Sequence, residues 1–166
     1  MNEPTLEETY TLRLYRSLET KRVLREEWYN ANGEPGHPDE DLPAVVTYHP
    51  VTGKHHYLNW YKNGQRHRKG GPAQIELDPV TGAVVEQQWL RFGQLYRENG
   101  KPALVRWDEK GRLTGESFFE GGRLHRETGP AVIGYDPDTG RINYQRYWLY
   151  GKRISKASFQ ALSLAP

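Results

Sequence analysis

Trp60-Tyr61-Lys62-Asn63-Gly64-Gln65-Arg66-His67-Arg68, followed by Gly71-Pro72-Ala73, is one copy of a unit that recurs along the chain. Its glycine returns as Gly93, Gly122 and Gly151, at intervals of 29 residues. The aromatic four places earlier returns with it, as Trp60, Trp89, Phe118 and Tyr147. The same spacing carries His67, Tyr96 and His125, each followed by an arginine: Arg68, Arg97 and Arg126. A Pro-Ala pair appears as Pro43-Ala44, Pro72-Ala73, Pro102-Ala103 and Pro130-Ala131. The third unit gains one residue before its proline, in Glu98-Asn99-Gly100-Lys101, and loses one in the next turn. An earlier, looser copy begins at Trp28 and runs through Gly33 and His37 to Pro43. Self-similarity at a fixed period of this length marks a repeat architecture, in which stacked neighbours supply the cover that one unit lacks.

Each unit reads as two strands and two turns. Asp78-Pro79-Val80-Thr81-Gly82 and Asp136-Pro137-Asp138-Thr139-Gly140 place Pro where φ must be near −65° and Gly where φ turns positive. The second turn sits at the glycine of the aromatic-x-x-x-Gly motif. Between turns, Ala73, Ile75 and Leu77 alternate with Gln74 and Glu76, the period of a strand. The pattern predicts an all-β fold, an antiparallel meander of repeated β-hairpins with roughly nine or ten strands. The proline of each Gly-Pro-Ala step cannot donate to a ladder, so it marks a bend that would curl the sheet. The repeats occupy residues 28–151, with an N-terminal capping segment at 1–27 and a C-terminal cap at 152–166. In the first cap, Thr11 to Tyr15 and Arg22 to Leu24 read as a hairpin, with a helix as the alternative. In the second, Ser155 suits the N-cap of a short closing helix containing Phe159.

The units resemble the variant MORN repeats of bacterial, phage and giant-virus proteins. The match is carried by Trp60 to Arg68 with Gly71-Pro72-Ala73, and by Gly121-Gly122-Arg123-Leu124-His125-Arg126-Glu127-Thr128-Gly129-Pro130-Ala131. The resemblance implies a β-hairpin array and brings no catalytic residues with it. It also implies antitoxin-like roles, or contacts with proteins or membrane surfaces. Tyr96 stands in place of His in the third unit, and Pro38 in place of Arg in the first.

Composition narrows the function classes. Lys plus Arg total 23 against 21 Asp plus Glu, so the formal charge is only +2, and bases interleave with acids. Nucleic acid is therefore not the expected partner, because phosphate binding needs clustered cations. Aromatics reach 12% despite a mean hydropathy of −0.90, which separates the chain from aromatic-poor disordered sequences. With no cysteine, disulfide and thiolate chemistry are excluded. No apolar run has the length of a membrane span, and Met1 to Tyr10 is acidic and polar, so a cytoplasmic protein is expected.

Two columns are candidate binding sites. Arg68, Arg97 and Arg126 suit carboxylates or phosphates of a partner. Equally, they suit backbone carbonyls freed at the Gly-Pro-Ala bend, or the nearby acids Glu98 and Glu127. The aromatic doublets place Trp28, Trp60, Trp89, Phe118 and Tyr147 on one face. Their neighbours Tyr29, Tyr61, Leu90, Phe119 and Trp148 then form an outward strip, of the kind that anchors protein interfaces. The competing reading is that both faces are covered. His55-His56, with His49 nearby, lacks the spaced partners of a metal site, and Asp78, Asp108 and Asp136 open turns rather than pair as acid and base. No catalytic residue, metal or cofactor is expected. The expectation is a non-enzymatic protein-binding module, an inhibitor or neutralising protein of antitoxin, immunity or phage anti-defence type. The alternative is a binder of a small anionic ligand or nucleotide through the arginine column. The two edge strands of an open meander also admit a homodimer.

Overall fold

The Asp-Pro-x-Thr-Gly turns fold as their chemistry requires. Asp78 Oδ1 accepts hydrogen bonds from the amides of Val80 (3.0 Å) and Thr81 (2.7 Å) and from the Thr81 hydroxyl (2.9 Å). Asp136 repeats this with Asp138 and Thr139. The backbone amides of Thr81 and Thr139 hold these two carboxyls below their ordinary pKa. Gly82 and Gly140 close the turns at φ 82° and 68°. In the first complete turn His49 takes the place of Asp, and its Nδ1 accepts the Thr52 amide at 3.2 Å.

The structure, a computed structural model, describes residues 8–163; the remaining residues of the two capping segments lie outside them. The turns link β1 (Thr11–Arg16), β2 (Val23–Tyr29), β3 (Val45–Tyr48) and β4 (His55–Asn59). A short ribbon follows, β5 (Tyr61–Lys62) with β6 (Gln65–Arg66). The pattern then recurs as β7 (Gln74–Leu77), β8 (Val84–Gln88) and the ribbon β9 (Leu90–Arg91) with β10 (Gln94–Leu95). It recurs again as β11 (Leu104–Trp107), β12 (Leu113–Ser117) and the ribbon β13 (Phe119–Glu120) with β14 (Arg123–Leu124). The last copy is β15 (Val132–Tyr135), β16 (Ile142–Leu149) and β17 (Lys152–Ile154), closed by helix α1 (Lys156–Ser163).

The long strands form one open antiparallel meander in the order β1-β2-β3-β4-β7-β8-β11-β12-β15-β16-β17. The expected meander is therefore present, with eleven strands, because β17 continues from the far half of β16. The N-terminal segment is the hairpin β1–β2 rather than a helix. Ser155 caps α1 by accepting the Ser158 amide at 3.0 Å, and the Phe159 ring lies 4.9 Å from that of Tyr147.

The register places Trp28, Ala44, Trp60, Ala73, Trp89, Ala103, Phe118, Ala131 and Tyr147 in one row across the sheet. A small residue thus separates every pair of rings, and all four alanines are at most 1% exposed. The amides of Trp28, Trp60, Trp89 and Phe118 donate to the carbonyls of Ala44, Ala73, Ala103 and Ala131 at 2.8 to 2.9 Å. Ala73 and Ala103 send their own amides the other way, to Gln88 and Ser117. A regular strand residue points both groups to one neighbour, so these alanines mark the bend expected after proline.

Each ribbon is a two-residue hairpin with positive φ at both turn positions: Asn63-Gly64, Phe92-Gly93, Gly121-Gly122 and Tyr150-Gly151. Phe92 (φ 47°) and Tyr150 (φ 49°) are bulky for that region. Their rings stack on the histidine of the preceding unit, Phe92 on His67 at 4.3 Å and Tyr150 on His125 at 4.0 Å. Where Tyr96 replaces that histidine, the turn residue is Gly121, which has no ring to stack. Ribbons also bond to one another, Gly93 N–H to the Arg66 carbonyl and Gly151 N–H to the Leu124 carbonyl, both at 2.8 Å.

Phenols tie strands across the sheet. Tyr48 donates to Glu26 (2.8 Å), Tyr135 to Glu116 (2.7 Å) and Tyr15 to the buried Glu27 (2.8 Å), which also accepts from Tyr29 on its own strand. Burial and a carboxylate partner push Tyr48 and Tyr135 up to about 12, and the hydrogen bond to Glu27 does the same for Tyr29.

Two outcomes follow. Ala103→Leu forces a larger side chain between Trp89 and Phe118, with an expected loss of about 1–3 kcal/mol in urea unfolding. Because the folded pKa of Tyr29, Tyr48 and Tyr135 lies above the ordinary 10.0, their contribution is complete below pH 10 and is lost as pH rises towards 12. Absorbance at the tyrosinate band is expected to show a late-titrating group of phenols, reduced in Tyr135→Phe and moved to the ordinary range by alkaline unfolding.

Candidate functional site

The arginine column has a common geometry. The guanidinium carbons of Arg68, Arg97 and Arg126 stand 4.0, 3.6 and 3.8 Å from the ring centroids of Trp60, Trp89 and Phe118 in their own units. Each guanidinium also donates to a backbone carbonyl: Arg68 to Asp41 (3.3 Å), Arg97 to Pro102 (3.2 Å) and Arg126 to Pro130 (3.3 Å). Gly71 keeps the space open, since a Cβ there would stand 3.2 Å from Arg68 Nη1. The arginines thus cover the core aromatics and bond to carbonyls near the bend. Among the described residues, Glu98 and Glu127 form no ion pair with them; Glu127 lies near His125 instead.

Of the neighbours of the core aromatics, Leu90 departs from the expected outward strip. Leu90 is 7% exposed and belongs to the core, while Tyr29, Tyr61, Phe119 and Trp148 are half-buried. The reason is that the chain leaves the main ladder after Trp60, Trp89, Phe118 and Tyr147 and enters a ribbon. There Tyr61 meets Arg66, Leu90 meets Leu95, Phe119 meets Leu124 and Trp148 meets Arg153. Tyr29 turns its hydroxyl to Glu27. Strand alternation predicts two faces but not that the chain leaves the ladder for a ribbon.

The structure instead brings part of the arginine column into a cleft of about 620 Å³ between the second and third units. Its walls include Arg68, Lys69, Arg91, Arg97 and Lys101, with Glu98 as the one acidic residue. The rings of Trp89, Phe92 and Tyr96 line it as well. Lys69, Arg91 and Lys101 are exposed, and among the described residues none of them makes an ion pair with a carboxylate. His67, also at the cleft, is held below its ordinary pKa by burial and then by the charges of Lys62 and Arg91. Its Nδ1 is buried with no partner among the described residues, whereas His125 Nδ1 accepts the Tyr150 amide at 3.1 Å.

This cleft differs from its equivalent one unit along. Lys69 corresponds to Glu98 and Glu127, and Arg91 corresponds to Glu120, by the 29-residue period. Lys101 belongs to the stretch lengthened by one residue in the third unit. The cations therefore collect at one junction, and the repeat frame that positions them is shared by all. Arg126, in the fourth unit, lies outside the cleft. The signal available in sequence was this departure from the repeat, rather than the recurring arginines themselves.

Comparison with known proteins found no matching family model, no matching curated protein and no matching solved structure.

Removing a column arginine is expected to weaken the fold. Arg97→Ala loses both the stack on Trp89 and the Pro102 hydrogen bond, an expected cost of about 1–3 kcal/mol. The corresponding fall in melting temperature is roughly 2–12 °C. Arg97→Lys, which keeps the charge but not the planar stack, should recover only part of it; full recovery would mean that charge alone matters here.

Proposed function

We propose that this chain is a non-enzymatic protein-binding module that docks an acidic segment of a partner protein in the cleft between its second and third units. The carrying observation is the concentration of Arg68, Lys69, Arg91, Arg97 and Lys101 around aromatic side chains, against Glu98 alone. Arginine and aromatic residues are the usual anchors of protein interfaces. Exposed cations at the rim steer an acidic partner toward the cleft and set its register. Arg68 and Arg97 are already held by their ring stacks and carbonyl bonds, so little side-chain freedom is left for them to lose on binding. An inhibitory or neutralising role, of antitoxin, immunity or anti-defence type, is supported by the MORN-like repeat resemblance and belongs to this same proposal.

A second reading is favoured by the rings of Trp89, Phe92 and Tyr96 beside the cations: a nucleotide or other small anion, stacked on an aromatic and held by its phosphates.

A labelled oligoglutamate peptide, followed by fluorescence anisotropy, tests the proposal. Binding should weaken with added salt and fall by roughly tenfold or more in Lys69→Glu/Arg91→Glu. Lys110→Glu, a charge reversal in an exposed turn, should leave it unchanged. Binding of ATP without binding of the peptide would shift the assignment to the second reading. Peptide affinity indifferent to the cleft reversal would sink the cleft as the docking site.

A further inference from the structure

The first strand of the sheet has an open side. Among the described residues, β1 pairs only with β2, and all six of its residues are exposed. Leu12 (41%), Leu14 (45%) and Tyr15 (45%) are large apolar side chains left in solvent. The direction of the backbone groups follows from the ladder. Trp28 donates its amide to Ala44 and accepts from Gly36 at its carbonyl, so both of its groups face away from β1. Leu12 lies opposite Trp28 and Leu14 opposite Glu26, two residues along. The alternation of an antiparallel pair then turns the N–H and C=O of Leu12 and Leu14 outward, as a template for another strand.

Protein sheets commonly protect such an edge with proline, lysine, a bulge or a covering element. The far side of this sheet has part of that protection: β17 pairs with Tyr147, Trp148 and Leu149, and α1 packs Phe159 against Tyr147. β1 carries no proline and no lysine, its one register irregularity against β2 lies at its end, between Tyr15 and Arg16, and one of its two arginines, Arg13, stands over the Tyr29 ring at 4.6 Å.

We propose that β1 is a self-association edge, on which a second copy of this chain adds its own β1 antiparallel across a two-fold axis. The axis must run perpendicular to the sheet, so residues of like parity face one another. Centred on Leu14, the pairing sets Leu14 against Leu14 of the second copy, Leu12 against Arg16 and Arg13 against Tyr15. The outward backbone groups of Leu12 and Leu14 then bond in register, and the leucines share one face. Centred on Arg13, it would oppose two guanidiniums, which is unfavourable. Centred on Leu12, only Thr11 to Arg13 of β1 would pair with one another, so the Leu14 register engages more of the strand. Pairing of like edges closes after two copies, whereas pairing β1 with the free part of β16 would propagate without limit. The two-fold also leaves both cationic clefts opening on the same side of the joined sheet. The contact is a single strand pair, small among stable interfaces, so the dimer forms in a concentration-dependent way.

Sedimentation of the full chain over a range of concentrations tests this. The expected result is a reversible shift from the 19.3 kDa chain to twice that mass. Leu14→Lys places two ammonium groups opposite each other and should raise the dissociation constant at least roughly tenfold, with the circular dichroism and melting temperature of the monomer kept. Leu14→Pro should do the same by deleting an amide that the β1–β2 ladder does not use. Hydrogen exchange adds an independent reading, with the amides of Leu12 and Leu14 protected only at high concentration. A wild-type chain that stays monomeric at high concentration overturns the proposal. So does protection of those two amides in the monomer, which would mean that the chain covers its own edge. Open-ended polymers, or a dimer indifferent to both variants, would also overturn it by pointing to another surface.

Discussion

An open sheet with no second full layer must still bury its aromatic row, and this chain meets that constraint by alternating rings with alanines. Two large rings facing each other on every adjacent pair of strands would compete for the same volume over the sheet. Ala44, Ala73, Ala103 and Ala131 instead let each ring lie over a neighbour with no side chain beyond Cβ. The bend at Ala73 and Ala103, with amide and carbonyl bonded to different strands, occurs in the same row. The exposed faces of the rings are then closed by Arg68, Arg97 and Arg126. Ring, alanine, bend and arginine are thus four parts of one packing solution, which is why they recur together.

That linkage explains how much of the molecule was legible in its sequence. Turns were, because Asp78 and Asp136 fix them through bonds to amides two and three residues away. The meander was, because apolar alternation and a fixed period are local and repeated properties. The doublets misled, because Leu90 and its equivalents leave the ladder for a ribbon that folds back. Parity along a strand assigns a residue to a face, but it carries no information on whether a later segment covers that face. The hairpin at Thr11–Tyr29 was one of two readings, since β1 has no buried residue to impose a period.

The site was hidden for a different reason. A search for repeats is sensitive to what recurs, and the scaffold accounts for what recurs here. Lys69, Arg91 and Lys101 are conspicuous only when the units are aligned on their packing residues and the remaining positions compared. Their neighbours Arg68 and Arg97 serve the fold through their rings and carbonyls, yet also stand in the cleft wall. A structural residue and a recognition residue need not be different residues when the charge is used outward and the plane inward.

The stacking of Phe92 on His67 and of Tyr150 on His125 has a mechanical consequence. Each ring crosses from one unit to the previous one, alongside the hydrogen bonds from Gly93 and Gly151. The junction spanned by Tyr96 and Gly121 lacks that ring. Under tension applied along the array, resistance is the sum of nearest-neighbour couplings rather than a property of one global core. The chain is therefore graded in stiffness, firmer at the junctions of Phe92 and Tyr150 than at those of Asn63 and Gly121. Tension on its two ends would load the junctions at Asn63 and Gly121 before the cationic one, which Phe92 and Gly93 tie.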